Sequence, residues 1–462
     1  MVVKAINTLA FILIARWAGA SQAGIFSLGT TYLVVFSAAS WGLNELLIRQ
    51  VARDRSTSSQ YFYSFLCLQV LFALTGYTLL YFIVGRLLGY QPTTYTPILV
   101  LGISLIPDSL GNIGQSLLAA HERFFVPTIS GTLASLVKIG GTIYFMTSGY
   151  GLLGVCWVWT IGSCLGATIT ILSAAYLAGR MRASQWLDRK FWIMNLKLAV
   201  PFIVMGFLLT LEFQNDVIIL SLFRNEIDVG WYGAVTTIIF ALTMLAQGFR
   251  AAVYPLMAIY HKSAPEKLAH IYDLSFFYLG AFVLPMAVGL TLMSKDIILL
   301  LYGKQFLGSI LPLQIIAWFL IFSYLNVPNA RLMLVSEQQN RLTKFLLISM
   351  ITNIVLNFLL DPKYGAVGAS VARLCSALVF FIPNYLFVIR NIQVHNLFST
   401  LAKPFEATLI MGIVVWFIHD LNLWMAILTG IIVYMISLLL LRGISIEERS
   451  WLEQLLHPKT VK

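Results

Sequence analysis

Long apolar runs alternate with short polar segments along the whole chain. Most runs contain about 17 to 25 residues, the length that a helix needs to cross the hydrocarbon core of a bilayer. The pattern predicts an all-α polytopic membrane protein with fourteen transmembrane helices. The predicted spans are residues 2–18, 24–48, 61–88, 96–120, 125–148, 151–179, 195–223, 229–257, 272–294, 306–335, 343–360, 364–389, 404–419 and 423–441.

Composition and charge support this interpretation. Hydrophobic residues make up 59% of the chain and charged residues only 11%, with a mean hydropathy of +0.85, whereas soluble domains are typically about 25% charged. The net charge of +11 does not indicate a nucleic-acid partner, because the Lys and Arg residues lie between apolar runs and not on a soluble face. Alternate loops carry most of these positive charges, so the positive-inside rule places both termini in the cytoplasm.

Two stretches of the first half recur in the second half. Residues 24–42 share five matched positions with residues 230–248, which lie 206 positions later: Gly24, Phe26, Thr30, Thr31 and Gly42 against Gly230, Tyr232, Thr236, Thr237 and Gly248. Residues 150–154 recur at 364–368, an offset of 214. Both copies run in the same direction across the membrane, which predicts two parallel six-helix lobes and two additional C-terminal spans.

This repeat sets the predicted domain boundaries. Residues 1–180 form the N-terminal lobe, 181–195 a cytoplasmic linker, and 196–390 the C-terminal lobe. Residues 391–442 hold the two additional spans. For residues 443–462 we expect an amphipathic cytoplasmic helix, because Ser445 and Glu448 have the spacing of a capping box before an apolar stripe. A solvated tail is the alternative.

Arginines within the spans are the first candidates for function. A charge at the centre of a membrane helix costs about 2.5–3.5 kcal/mol, so it should face a cavity or a partner. Arg250, Arg331 and Arg373 lie in spans eight, ten and twelve, and guanidinium groups bind phosphate oxygens bidentately. We therefore expect a cationic cavity for a diphosphate. For Arg250 and Arg331, snorkelling to the cytoplasmic surface is the alternative.

Arg16 and Arg49 are further candidates for the same cavity. Arg16 lies near the outer end of span one, where it could also snorkel, and Arg49 follows Glu45 by four residues, which also suits a local helix-end pair. Polar residues within spans could line the cavity and hydrogen-bond sugars, or could bridge helices. These are Asn44, Asn215, Gln247, Asn326 and Asn329.

Acidic residues within the spans suggest coupling or gating. Glu212 and Asp216 are four residues apart in span seven, so they share a face and repel unless a cation, a proton or an arginine lies between them. Asp108 and Lys138 lie near the middle of spans four and five, either as gating groups or as a structural pair. We expect no cofactor and leave coupling to H⁺ or Na⁺ open. The 206 offset pairs Arg250 with Asn44, so the scaffold is duplicated while the charges are not.

Enzyme chemistry is not indicated. The chain has no phosphate-binding GxxxxGK[ST] motif, and its histidines lack metal-ligand spacing. No loop exceeds roughly 20 residues, which leaves no room for the long catalytic loop that a glycan polymerase needs.

Five segments carry a family resemblance: residues 24–27, residues 41–53, the stretch around Asp216, residues 229–232 and residues 364–369. They resemble the polysaccharide biosynthesis and oligosaccharide flippase family, the Wzx-type proteins of the multidrug/oligosaccharidyl-lipid/polysaccharide exporter superfamily. Their order and spacing cover nearly the whole chain. The chain departs from the family pattern at its N-terminus, where the first helix lacks its expected opening turns.

The resemblance implies a fold, a cargo and a location. The fold is two six-helix lobes in a V that alternate between inward-open and outward-open states. The cargo is an undecaprenyl-diphosphate-linked oligosaccharide, moved across the bacterial inner membrane for polysaccharide export, with membrane lipids and a polysaccharide polymerase or export machinery as partners. Arg49 and Asp216 match recurrent family positions.

Three alternatives stay open. A cation-coupled drug exporter or a lipid II flippase belongs to the same superfamily, although a drug exporter should favour acidic and aromatic cavity residues over three arginines. A membrane-embedded glycan-assembly enzyme should carry longer outer loops. A non-transporting structural subunit would leave the charges within the spans unexplained.

Overall fold

The computed structural model describes residues 2–179, 188–391, 397–418 and 422–441. Within these ranges the chain forms α-helices joined by short turns. The helices are α1 (Val2–Arg53), α2 (Ser58–Phe82), α3 (Pro92–Gly102), α4 (Leu105–Ala120), α5 (Phe125–Thr147), α6 (Gly151–Ala178), α7 (Arg189–Phe223), α8 (Glu226–Ser263), α9 (Pro265–Leu292), α10 (Ser294–Leu301), α11 (Ile310–Val335), α12 (Gln339–Tyr364), α13 (Ala366–Asn391), α14 (Leu397–Ile418) and α15 (Leu423–Leu440).

The predicted all-α polytopic architecture is confirmed. Thirteen helical segments of the described residues are long and apolar enough to cross a membrane, judged by length and composition. The first of them, Ala5–Arg53, contains two of the fourteen predicted spans, because α1 continues where a loop was expected. The two parts of α1 are separated only at Gly19, whose φ of 82° and ψ of 178° lie in a region that glycine adopts readily.

The predicted linker is partly helical. Helix α7 begins at Arg189, inside the segment 181–195, because the Asp188 side chain caps it by accepting a hydrogen bond from the backbone N–H of Lys190 at 2.8 Å. Residues 180–187 and the predicted amphipathic tail at 443–462 lie outside the described residues.

The chain divides into two compact units. Unit 1 comprises residues 1–237 and 356–369, and unit 2 comprises residues 238–355 and 370–462. Helix α7 and the first part of α8 therefore belong to unit 1, whereas the repeat assigned them to the second lobe. The lobe boundaries drawn from the repeat stay a prediction.

Unit 1 has an apolar core and two polar ends. Its core combines side chains of α1, α2, α4, α6 and α7, including Leu46, Phe65 and Leu117. At one end Arg55 forms an ion pair with Glu122 at 3.4 Å, which joins the α1–α2 turn to the α4–α5 turn. Both turns belong to the set of loops predicted to be cytoplasmic.

Other loops meet at a second polar end of unit 1. Thr94 Oγ1 donates a hydrogen bond to Glu226 Oε1 at 2.7 Å. Arg224 Nη2 donates to the backbone carbonyl of Lys363 at 2.6 Å. These contacts join helix ends that the charge pattern assigns to the outer side, and the orientation in the membrane stays a prediction.

Unit 2 includes the two helices that lie beyond the repeat. Helices α14 and α15 pack against α9 in a cluster that contains Phe277, Met411 and Val415. Tyr434 Oη on α15 donates a hydrogen bond to the Ala281 carbonyl on α9 at 2.6 Å. The additional helices are therefore an integral part of this unit.

Candidate functional site

Asp216 on α7 is the centre of a buried polar cluster in unit 1. The side chain is almost fully buried, and two other helices contact its carboxylate. Tyr232 Oη on α8 donates a hydrogen bond at 2.5 Å, and Asn357 Nδ2 on α12 donates one at 2.9 Å. Three helices thus converge on one carboxylate.

A second carboxylate lies beside this cluster. Asp361 follows Asn357 by one helical turn on α12 and is fully buried. Within the described part of the chain, neither of its carboxylate oxygens has a hydrogen-bond partner. Burial of a carboxylate without hydrogen-bond donors is costly, so Asp361 offers two oxygens to a proton or a small cation.

Neighbouring groups complete the surroundings of the two carboxylates. Asn215, next to Asp216, is buried, and its amide nitrogen and oxygen both lack hydrogen-bond partners among the described residues. Arg224 Nε donates to the backbone carbonyl of Asp361 at 3.1 Å, which fixes the end of α12. We call Asn215, Asp216, Tyr232, Asn357 and Asp361 the acidic cluster.

A pocket of about 300 Å³ opens elsewhere in unit 1, between α1, α4 and α7. Its polar lining comes from four uncharged side chains together with the indole of Trp41. Asn44 Oδ1, at this pocket, is buried without a hydrogen-bond partner in the described structure. The full lining is Val34, Ser37, Ala38, Trp41, Asn44, Asn112, Gly206, Leu209 and Thr210.

The five candidate arginines occupy different surroundings. Arg16 and Arg49 are exposed on α1. Arg331 on α11 is half-buried, with its guanidinium carbon 5.2 Å from the ring centroid of Tyr254. Arg373 on α13 is only 6% exposed, which is rare for an arginine. Arg250 lies in α8, and its side chain is outside the described part of the structure.

The remaining charged candidates are half-buried. Glu212 lies one turn before Asp216 on α7, and Asp108 lies in the first turn of α4. Lys138 Nζ lies 5.1 Å from the ring centroid of Trp159, a cation–π contact between α5 and α6. The cation of Lys138 thus interacts with an aromatic ring of its own unit.

Two of the candidate asparagines bridge helices of unit 2. Asn326 Oδ1 accepts a hydrogen bond from Asn384 Nδ2 at 3.1 Å, and Asn329 Oδ1 accepts one from Tyr272 Oη at 2.6 Å. These contacts favour the helix-bridging alternative for both residues. The side chain of Gln247, on α8, is outside the described part of the structure.

Comparison with known protein families identifies the family of the chain. A family model described as "Polysaccharide biosynthesis protein" matches residues 13–311. The chain belongs to this polysaccharide biosynthesis protein family. The predicted resemblance to that family is thereby confirmed.

The chain is similar to a protein of Haloferax volcanii, and its fold is similar to that of two solved transporters. It is 22% identical to the probable low-salt glycan biosynthesis flippase Agl15 of Haloferax volcanii, over 91% of this chain and 89% of that protein. A structure of the lipid II flippase MurJ in an inward closed conformation is similar with a TM-score of 0.80 and 18% identity, over 94% of this chain and 96% of MurJ. An inward-facing multidrug resistance MATE family transporter gives a TM-score of 0.67 at 14% identity, over 84% and 95% of the two chains.

Sequence reasoning missed part of the acidic cluster. Asp361 was assigned to a loop, because the predicted span ended at residue 360, whereas α12 continues to Tyr364. A signal was present, since Asn353, Asn357 and Asp361 recur every four residues in the mostly apolar second half of the helix. Such spacing places polar groups on one face of a helix. That face reaches the carboxylate of Asp216 through Asn357.

Proposed function

We propose that this protein is a flippase that moves a lipid-linked glycan from one membrane leaflet to the other and catalyses no chemical reaction. The observation that carries the proposal is the alignment with Agl15, a probable glycan biosynthesis flippase, over nearly the full length of both proteins. The uncharged polar pocket between membrane-length helices and the buried guanidinium of Arg373 fit a cargo with a glycan and an anionic group.

The proposed cargo is an undecaprenyl-diphosphate-linked oligosaccharide in a bacterial inner membrane. The protein would deliver it to the outer leaflet for polysaccharide polymerase or export machinery, with both of its own termini in the cytoplasm. Arg250, Arg331 and Arg373 would bind the diphosphate, because guanidinium groups hold phosphate oxygens bidentately. Alternation between inward-open and outward-open states would carry the headgroup while the lipid tail stays in the bilayer.

The acidic cluster is the proposed coupling site. Asp216 and Asp361 supply carboxylate oxygens, which bind a proton or a hard cation such as Na⁺, and Asn357 supplies an amide group, whose oxygen is a ligand for a hard cation. Asp361 fits this role best, because its buried oxygens have no hydrogen-bond partner among the described residues. Binding of a cation would neutralise the cluster, and Tyr232 would hold the Asp216 carboxylate in place. Glu212, one turn away on α7, would contribute to gating.

Flipping can be measured with purified protein in vesicles that contain a fluorescent undecaprenyl-diphosphate-linked oligosaccharide and a membrane-impermeant quencher. We expect Arg373→Ala and Arg331→Ala to lower the flipping rate by about tenfold or more, the loss that follows from one charge-assisted contact. Arg390→Ala, at an exposed arginine of α13, is the matched control. Equal rates in all variants, at equal amounts of folded protein, would remove these arginines from the mechanism.

The same vesicles test the alternatives. Lipid II and a cationic dye, added in place of the oligosaccharide lipid, report on the lipid II flippase and the drug exporter. If either is moved faster than the oligosaccharide lipid, the proposed cargo is wrong. An altered glycan structure after transport would indicate an enzyme.

Coupling is tested by imposing a Na⁺ or a pH gradient across the vesicles. We expect one gradient to accelerate flipping in the wild type and to have no effect in Asp361→Asn. Glu406→Gln, at an exposed carboxylate of α14, should keep the response. A response that persists in Asp361→Asn would show that the acidic cluster does not couple transport.

A further inference from the structure

The pocket between α1, α4 and α7 has a chemistry distinct from that of the candidate arginines. It lies wholly in unit 1, and none of its lining residues is charged. Ser37, Asn44, Asn112 and Thr210 bring hydroxyl and amide groups that both donate and accept hydrogen bonds. A diphosphate would find no cation here, whereas a sugar hydroxyl would find partners of either kind.

One lining group lacks a partner. Asn44 Oδ1 is buried at the pocket with no hydrogen-bond partner among the described residues. A buried acceptor without a donor costs about 1–3 kcal/mol, and native structures usually satisfy such groups. Rotation of the Asn44 amide about χ2, which is a broad torsion, would bring this oxygen to a hydroxyl donor inside the pocket and satisfy it.

Trp41 supplies an aromatic surface beside these polar groups. Its indole packs over Gly206, where a Cβ atom would lie 2.6 Å from Trp41 Cε3. Any larger residue at 206 would therefore displace the ring. Aromatic rings present an apolar surface with a polar edge, which suits a sugar ring because that ring combines an apolar C–H face with hydroxyls around its rim.

The volume of the pocket and the internal repeat further restrict the kind of ligand that the pocket can bind. About 300 Å³ is at the lower limit of small-molecule pockets and suits one ring, not an extended chain. The 206 offset pairs Asn44 of this pocket with Arg250 in the second half. The same repeat position thus carries a neutral amide in one half and a cation in the other, as expected if the halves recognise different parts of one cargo.

We propose that this pocket binds one uncharged sugar residue of the cargo, which stacks on Trp41 and donates a hydroxyl hydrogen bond to Asn44. The inference rests on the proposed flippase function, since it assigns the glycan part of that cargo to unit 1. The pocket selects for the glycan, whereas the arginines bind any lipid diphosphate.

The test compares two probes on the full-length protein in lipid nanodiscs. One probe is undecaprenyl diphosphate without sugar, and the other is the lipid-linked oligosaccharide extracted from the membranes of the source cells. We expect the wild type to bind the glycan-bearing probe more tightly. Trp41→Leu and Asn44→Leu should lower the affinity for that probe about tenfold and leave the affinity for undecaprenyl diphosphate unchanged.

Matched variants keep the test decisive. Trp157→Leu, at an exposed tryptophan of α6, should bind both probes as the wild type does. Gly206→Ala, which displaces the Trp41 ring, should lower only the affinity for the glycan-bearing probe. This variant takes the place of Trp41→Leu in the test if Trp41→Leu does not fold. Unchanged binding of the glycan-bearing probe, or an equal loss of both probes, would overturn the subsite while wild-type flipping still supports the proposed function. If the wild type neither binds nor moves the glycan-bearing lipid, the proposed function fails and the subsite fails with it.

Discussion

Gly24 of α1 and Gly230 of α8 pack backbone against backbone within unit 1. A Cβ atom on Gly24 would lie 2.8 Å from the Gly230 nitrogen, and one on Gly230 would lie 3.2 Å from the Gly24 nitrogen. The same added atoms would overlap the carbonyl oxygens of Glu226 and Ala20, respectively. Ala20 and Glu226 are themselves related by the 206 offset. The two helices therefore cross with local two-fold symmetry.

This crossing predicts a strong response to a single methyl group. Gly24→Ala and Gly230→Ala should each lower the free energy of unfolding by at least about 1–3 kcal/mol, because backbone atoms cannot move aside as a side chain can. Thermal unfolding of the detergent-solubilised protein, followed by tryptophan fluorescence, measures the change.

Gly140→Ala on α5 is the matched control, since a Cβ atom there would have nothing within 4 Å. It should melt at the wild-type temperature or slightly above, because alanine favours helix more than glycine does. If Gly24→Ala has the same melting temperature as Gly140→Ala, α1 and α8 do not approach each other closely at Gly24.

The internal repeat was predictable from the sequence, and the backbone agrees with it. Gly151 and Gly365, which the offset of 214 relates, adopt positive φ angles of 63° and 55°, each directly before or at the start of a helix. The division into compact units was not predictable, because it depends on which helices α7 packs against. The continuation of α1 through Gly19 was not predictable either, since a short polar segment between apolar runs ordinarily indicates a loop.

The candidate site was predictable only in part. Asp216 was singled out because a carboxylate within a span is costly, but hydropathy cannot reveal that Tyr232 and Asn357 bond to it. The pocket combines positions from α1, α4 and α7 that lie far apart in the chain. Of its lining, the sequence singled out Asn44 alone, because a polar residue within a span does not disclose its neighbours.

Loss of the Tyr232 hydroxyl should destabilise unit 1. Tyr232→Phe removes one of the donors to the Asp216 carboxylate, and a hydrogen bond to a charged group contributes about 1.5–3 kcal/mol. We expect a corresponding fall in the free energy of unfolding, measured by thermal or denaturant unfolding. Tyr176→Phe, at a tyrosine that is 88% exposed, should have no effect. Equal stability of both variants would indicate that Tyr232 does not bond to Asp216.

Two glutamates occupy backbone positions that favour glycine. Glu122 and Glu337 follow helix ends with φ of 61° and 59°, in the left-handed region that costs a non-glycine residue about 1–2 kcal/mol. Glu337→Gly should therefore raise the free energy of unfolding by about 1 kcal/mol. Glu337→Ala should give no gain, because alanine keeps the Cβ atom. A Glu337→Gly protein that is no more stable than Glu337→Ala would contradict this conformation.

His121, in the turn between α4 and α5, should make stability depend on pH. Burial, followed by the charges of Arg55 and Arg123, lowers the pKa of His121 below its ordinary value of 6.5. The unfolded chain then takes up a proton at a higher pH than the folded protein does. Stability should therefore be fully present above about pH 6.5, fall as the pH drops below it, and level off below the folded pKa. The effect should be small, because the side chain is only partly buried.

Melting temperatures at about pH 7.5 and about pH 5.5 measure this dependence. His121→Gln should reduce the difference between the two temperatures. Arg123→Ala should also reduce it, because removing a nearby cation brings the pKa of His121 closer to its unfolded value. An undiminished pH dependence in His121→Gln would assign the effect to other groups. A reduction in His121→Gln without one in Arg123→Ala would leave burial and the charge of Arg55 as the causes of the lowered pKa.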